Sequence, residues 1–235
     1  MALNQSLTAM SPFFDRLHQA ASINAKGVAA LCHPDPRGAA VAINSLRQSV
    51  RILQELSPDP NAHQRIAAMV CPPLMSSGRA ALPSCCSFYV YDEPKLFSPL
   101  GNCEAVARTQ LPVFSAMVVF NTALAYNRLG METKDTKYYE AAQKLYQSCA
   151  NLCLMQGGNN EDLILLYIGA VNNMALIQNE LVKLDQLRDT ITTLRSVINF
   201  VSSRDDIWST SNMETVNEFQ LNLMAVDALA PACAA

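Results

Sequence analysis

The sequence predicts a mainly α protein, an array of antiparallel helix pairs in about three units with a right-handed stack. Two observations carry this. Apolar and small residues recur at spacings of three and four along successive stretches, one face of a helix each time. A common small-residue skeleton also repeats in three places. A third observation qualifies it: FYVYDEPKLF, residues 88–97, is aromatic, β-branched and without helical period, so it reads as a short strand.

Taken in order, residues 1–20 are weakly patterned apart from Phe13, Phe14 and Leu17 and read as an N-terminal tail or cap. The remainder, 21–235, reads as one helical domain. A first helix of roughly ten residues is expected from Ser22, since His33-Pro34-Asp35-Pro36 enforces a break. The second helix runs to about Leu56, with Ala42, Leu46, Ser49 and Leu53 on one face, which closes the unit 22–56. The proline- and serine-rich stretch 57–87 has no period and reads as a long loop, with one turn expected near Ile66 to Val70.

Pro94 confines the 88–97 strand to a sheet edge. A lone strand needs a partner. The candidate is 219–226, where Phe219, Leu221 and Leu223 alternate with Gln220, Asn222 and Met224, giving a small two-stranded antiparallel β appendage. The stretch 213–229 reads equally well as a helix. Between the two lie the remaining units, 104–155 and 161–202. Helices are expected from Glu104 or Pro112 to Leu129, from Asp135 to Met155, from Glu161 to Leu181 and from Asp185 to Val201, with Gly157-Gly158 as a stop between the second and third. The polar SSRDDIWSTSN that follows is expected to wrap back over the helix ends.

The repeat shows when the three pairs are superimposed. Gly27 precedes Ala42, Leu46 and Ser49; Ala123 precedes Ala142, Tyr146 and Cys149; Ala175 precedes Thr190, Leu194 and Val197. An asparagine stands just ahead of the small residue each time: Asn24, Asn121 and Asn173. A small residue on the first helix admits the second closely, and the larger residue four positions on fills the groove between pairs.

This skeleton resembles the tetratricopeptide repeat, best in AYNRLG (125–130) with YYEAAQKLYQSC (138–149), which are joined by an extended METKDTK connection. Residues 22–235 also resemble a group of uncharacterised repeat-containing proteins predicted in microalgae. The first resemblance implies a concave groove lined by the first helix of each pair, in which asparagine and basic side chains hold a peptide. The candidate partner-binding residues are Asn24, Lys26, Asn121, Asn127, Arg128, Asn172 and Gln178. For Asn121 and Asn173 the competing reading is structural, with the carboxamides bonded to backbone across the helix pair.

Composition narrows the function. With 235 residues, half of them hydrophobic and 16% charged, the chain can bury about 70–75% of the surface its unfolded form exposes, and disorder is excluded. So little charge leaves apolar surface for a partner. A net charge of −3 offers no excess Lys and Arg for phosphate neutralisation, so nucleic acid is not an expected ligand. No apolar run approaches the roughly 20 residues of a membrane span, and MALNQSLTAMSPFFDRLHQ lacks a basic segment followed by an apolar one. A cytoplasmic or nuclear protein is expected.

Eight cysteines are present, none in a CxxC pair. Reduced thiols acting as small hydrophobes are expected, rather than disulfides or zinc ligands. The histidines, His18, His33 and His63, have no partners at metal-binding offsets, and no catalytic, metal or cofactor site is expected. The reading is therefore a non-enzymatic scaffold binding a protein or peptide, with self-association as a further option. The alternative is a small cysteine-dependent hydrolase or redox enzyme, for which Cys32 beside His33 is the candidate.

Overall fold

The computed structural model describes residues 11–33, 35, 37–57, 90–99, 103–156, 160–204 and 210–229. Among these residues the protein is all-helical: α1 (Pro12–Cys32), α2 (Gly38–Leu56), α3 (Glu104–Thr133), α4 (Thr136–Gln156), α5 (Glu161–Glu180), α6 (Leu184–Ser202) and α7 (Thr210–Leu229). The expected 57–87 loop, apart from Ser57, lies outside the described residues, as does the middle of the SSRDDIWSTSN wrap.

Helices α3 to α6 follow the expected boundaries closely, and α3 continues from Glu104 through Pro112. Two expectations are corrected. Helix α1 begins at Pro12, well before Ser22. Ser11 caps it, its Oγ accepting from the Phe13 N–H at 3.3 Å, and Pro12 occupies the first turn, where its missing donor costs nothing. Phe13, Phe14, Leu17 and Ala20 then continue the buried stripe of Asn24, Gly27, Val28 and Leu31. The second correction is the β appendage. Residues 210–229 are helical, as the alternative reading of 213–229 has it, and 90–99 carry no regular secondary structure, so the described part of 88–97 does not pair as a strand with 219–226. Val216, Phe219 and Leu223, spaced three and four apart, are buried, whereas Leu221 and Met224 are exposed.

Each helix packs on its successor, and the odd-numbered helices also touch in sequence, α1 on α3, α3 on α5 and α5 on α7. Close approach within the first pair depends on Gly27, where a Cβ would lie 2.7 Å from the Leu46 side chain. Helices α2 and α6 are buried on one face. By contrast, every residue from Val118 to Asn127 of α3 and from Ile168 to Ala175 of α5 is buried. A helix buried all round has neighbours on both sides. On one side these are the adjoining helices; on the other lies the extended segment 90–97.

Candidate functional site

Segment 90–97 crosses the odd-numbered helices, and asparagine side chains hold it by its backbone. On α5, the Asn173 Oδ1 accepts from the Tyr91 N–H at 2.9 Å, and its Nδ2 donates to the Tyr91 carbonyl at 2.8 Å. On α3, the Asn121 Oδ1 accepts from the Lys95 N–H and its Nδ2 donates to the Lys95 carbonyl, both at 2.7 Å. Asn24 of α1 adds a second donor to that carbonyl at 3.0 Å, while its Oδ1 accepts from Asn121 at 2.9 Å. In an extended chain the N–H and C=O of one residue point to the same side, and residues four apart face the same way. One carboxamide can therefore satisfy both groups as a neighbouring strand would. The described residues 90–99 form no strand; side chains take the place of a neighbouring strand at Tyr91 and Lys95.

Aromatic residues fix its side chains. Tyr91 is fully buried, its ring 5.4 Å from Phe219 of α7 and 5.7 Å from Phe120 of α3. Gly169 leaves room for that ring, since a Cβ there would stand 2.1 Å from the Tyr91 Cδ1. Phe97 stacks on Phe114 with centroids 4.6 Å apart. Between these anchors Glu93 accepts from the Lys95 ammonium at 3.1 Å and from the Tyr91 hydroxyl at 3.3 Å.

The polar network continues inward. Asn173 also donates to the Tyr146 hydroxyl at 3.1 Å and accepts from Asn172 at 3.2 Å; Asn172 in turn accepts from Asn222 of α7 at 2.7 Å. Burial drives the Tyr146 phenol well above its ordinary range, with bonds from Asn173 and Asn127 opposing the shift. The phenol therefore stays neutral.

Of the residues expected to hold a partner, the structure brings Asn24 and Asn121 together on the chain's own segment. Asn172 and Gln178 are buried, the latter with its Oε1 lacking a hydrogen-bond partner among the described residues. Lys26 is exposed and takes no part in these bonds. Asn127 and Arg128 instead line a pocket of about 560 Å³ with Leu31, Cys32, Val90, Asp92, Pro94, Leu124 and Met131. The Arg128 Nη1 donates to the Leu31 carbonyl at the end of α1, and its Nε donates to Glu132 at 3.1 Å. Asp92 and Met131 were legible as residues but not as pocket walls, because the fold places 90–94 against α1 and α3 from a distant part of the sequence.

The thiols are described for Cys32 and Cys103, which are exposed, and for Cys149 and Cys153, which are buried. Burial, reinforced by Cys153, pushes the Cys149 thiol up, and its Sγ lies 3.5 Å from the Ala116 carbonyl. The His33 Nδ1 accepts from the Asp35 N–H at 3.2 Å. No group of three potential metal ligands occurs among the described residues, and no helix there is long and apolar enough to cross a membrane.

Compared with protein-family models, curated proteins and solved structures, the chain matches none. The site must be read from its own chemistry. What the geometry offers is recognition of an extended backbone by carboxamides, together with an open pocket bounded on one side by the segment so held.

Proposed function

We propose that the chain is a tetratricopeptide-like array of three helix pairs that serves as a protein-interaction scaffold. One observation carries the reading: Asn24, Asn121 and Asn173, one from each pair, all bond to the backbone of a single extended segment. In arrays of this kind the first helices of the pairs line a groove suited to an extended peptide. Here the groove holds a peptide of the chain itself. The surface left for a partner is the pocket between that segment and the ends of α1 and α3.

The test is a comparison of captures by the tagged full chain and two surface variants. Met131→Lys alters the pocket, and Val41→Lys alters an exposed position on α2. The expected result is a protein retained by the wild type and by Val41→Lys but lost with Met131→Lys. Identical captures by all three would remove the support for a partner site in the pocket.

A further inference from the structure

We infer that the pocket between segment 90–94 and the ends of α1 and α3 takes a basic side chain, lysine or arginine, of a partner's peptide; this rests on the scaffold reading. Three features of its charge point the same way. Leu31 and Cys32 are the last residues of α1, so the pocket opens at that helix's C-terminal end, where carbonyls without an intrahelical partner carry partial negative charge. No basic residue stands in the last turn of α1 or of α3. Asp92 is exposed and makes no hydrogen bond or ion pair with any described residue.

Among the described residues that line the pocket, the one cation is already engaged. Arg128 donates to the Leu31 carbonyl and is paired with Glu132, so it shows what this helix end attracts without neutralising Asp92. The apolar walls fit the same occupant. Leu31, Leu124, Pro94 and Met131 offer a lining for the methylene stem of a lysine or arginine, leaving its charged head beside Asp92 and the carbonyls. An acidic group would meet the unpaired carboxylate, and a purely apolar one would leave it uncompensated. The volume, about 560 Å³, lies in the range of about 300–1,000 Å³ typical of ligand sites.

The probes are N-acetyl-arginine-N-methylamide and N-acetyl-lysine-N-methylamide, added at millimolar concentration to the isotope-labelled full chain and followed by amide chemical shifts. N-acetyl-norleucine-N-methylamide serves as the uncharged control, and spermidine as a cation without a peptide backbone. Expected are saturable shifts confined to residues 31–32, 90–94 and 124–131 with either cationic amide, and none with norleucine. Asp92→Asn should weaken binding by about two- to fivefold, the range of an exposed carboxylate–cation pair. Met131→Lys, which puts a competing ammonium at the mouth, should weaken it as well and covers the case in which Asp92→Asn fails to fold. Shifts equal for norleucine, shifts with spermidine but with neither amide, or affinity untouched by both variants would overturn the inference. A capture contrast that survives such a failure keeps the scaffold and rejects only the basic occupant.

Discussion

Asn173 and Asn121 hold the same segment through the same pair of bonds, yet their surroundings differ. Asn173 works in a closed site: all four of its bonds go to buried neighbours, and the residue it holds, Tyr91, is sealed by Phe120 and Phe219. Asn121 works nearer the edge. It holds the half-buried Lys95, whose carbonyl keeps a second donor in Asn24. Carboxamides alone therefore fix the position of the backbone without reading its sequence; the aromatic seat at one end decides which residue occupies it.

The largest effect should come from breaking that seat. Tyr91→Ala is expected to cost about 3–5 kcal/mol, as for other large aromatic-to-alanine changes in cores, measured by urea unfolding. Gly169→Ala attacks the same contact from the other side and should cost about 1–3 kcal/mol through overpacking. If Gly169→Ala leaves stability unchanged, the ring is not held against α5.

The two asparagines should then separate. Asn173→Ala strands the buried N–H and C=O of Tyr91, with an expected loss of about 2–3 kcal/mol, against about 1 kcal/mol for Asn121→Ala, where water and Asn24 can compensate. Equal losses would erase the distinction between closed and edge sites. A double-mutant cycle on Asn24 and Asn121 should give a coupling of about 0.5–1 kcal/mol, because the two share the Lys95 carbonyl.

Alkali should also act on the closed side. The Cys149 and Tyr146 groups have folded pKa values raised above their unfolded ones. Their contribution is complete below the unfolded values and is lost as pH rises, because the unfolded chain ionises first. Stability should therefore fall from about pH 8.5 and more steeply from about pH 10. A flat profile in denaturant midpoints up to pH 10.5 would contradict the burial of these groups. One effect has the opposite sign. Val182 sits at φ 56° after α5, and the bonds Val182 N to Asn179 O and Lys183 N to Gln178 O form a C-terminal motif that favours glycine. Val182→Gly should stabilise by about 1 kcal/mol.

Much of this was legible beforehand. The helices from 104 to 202 announce themselves through caps, stops and period, and the three asparagines stand on α1, α3 and α5, each three or fewer residues ahead of a small residue. Their bonding to backbone was also open as a reading, although to the wrong stretch of backbone. The described part of 88–97 was legible as non-helical, because its aromatic and β-branched residues follow no helical period. Its partner was not, since a strand's composition says nothing about whether a strand or a carboxamide will face it. The 219–226 alternation misled for a related reason: Leu221 is exposed on a helix, and the buried Val216, Phe219 and Leu223 follow a period of three and four. The Ser11-Pro12 start of α1 carried a signal, a capping residue before a first-turn proline, that the weak patterning of the flanking residues obscured.

The segment also changes how the molecule should come apart. In ordinary helical arrays each unit touches only its neighbours, so the ends can melt while the middle survives. Here one short stretch is bonded to α1, α3 and α5 and packs on α7, through contacts separated by 71 and 82 residues in sequence. Loss of either end exposes polar groups held at the other. The molecule should then unfold in one cooperative transition, and such distant contacts should make its folding slower than that of a simple solenoid of this length.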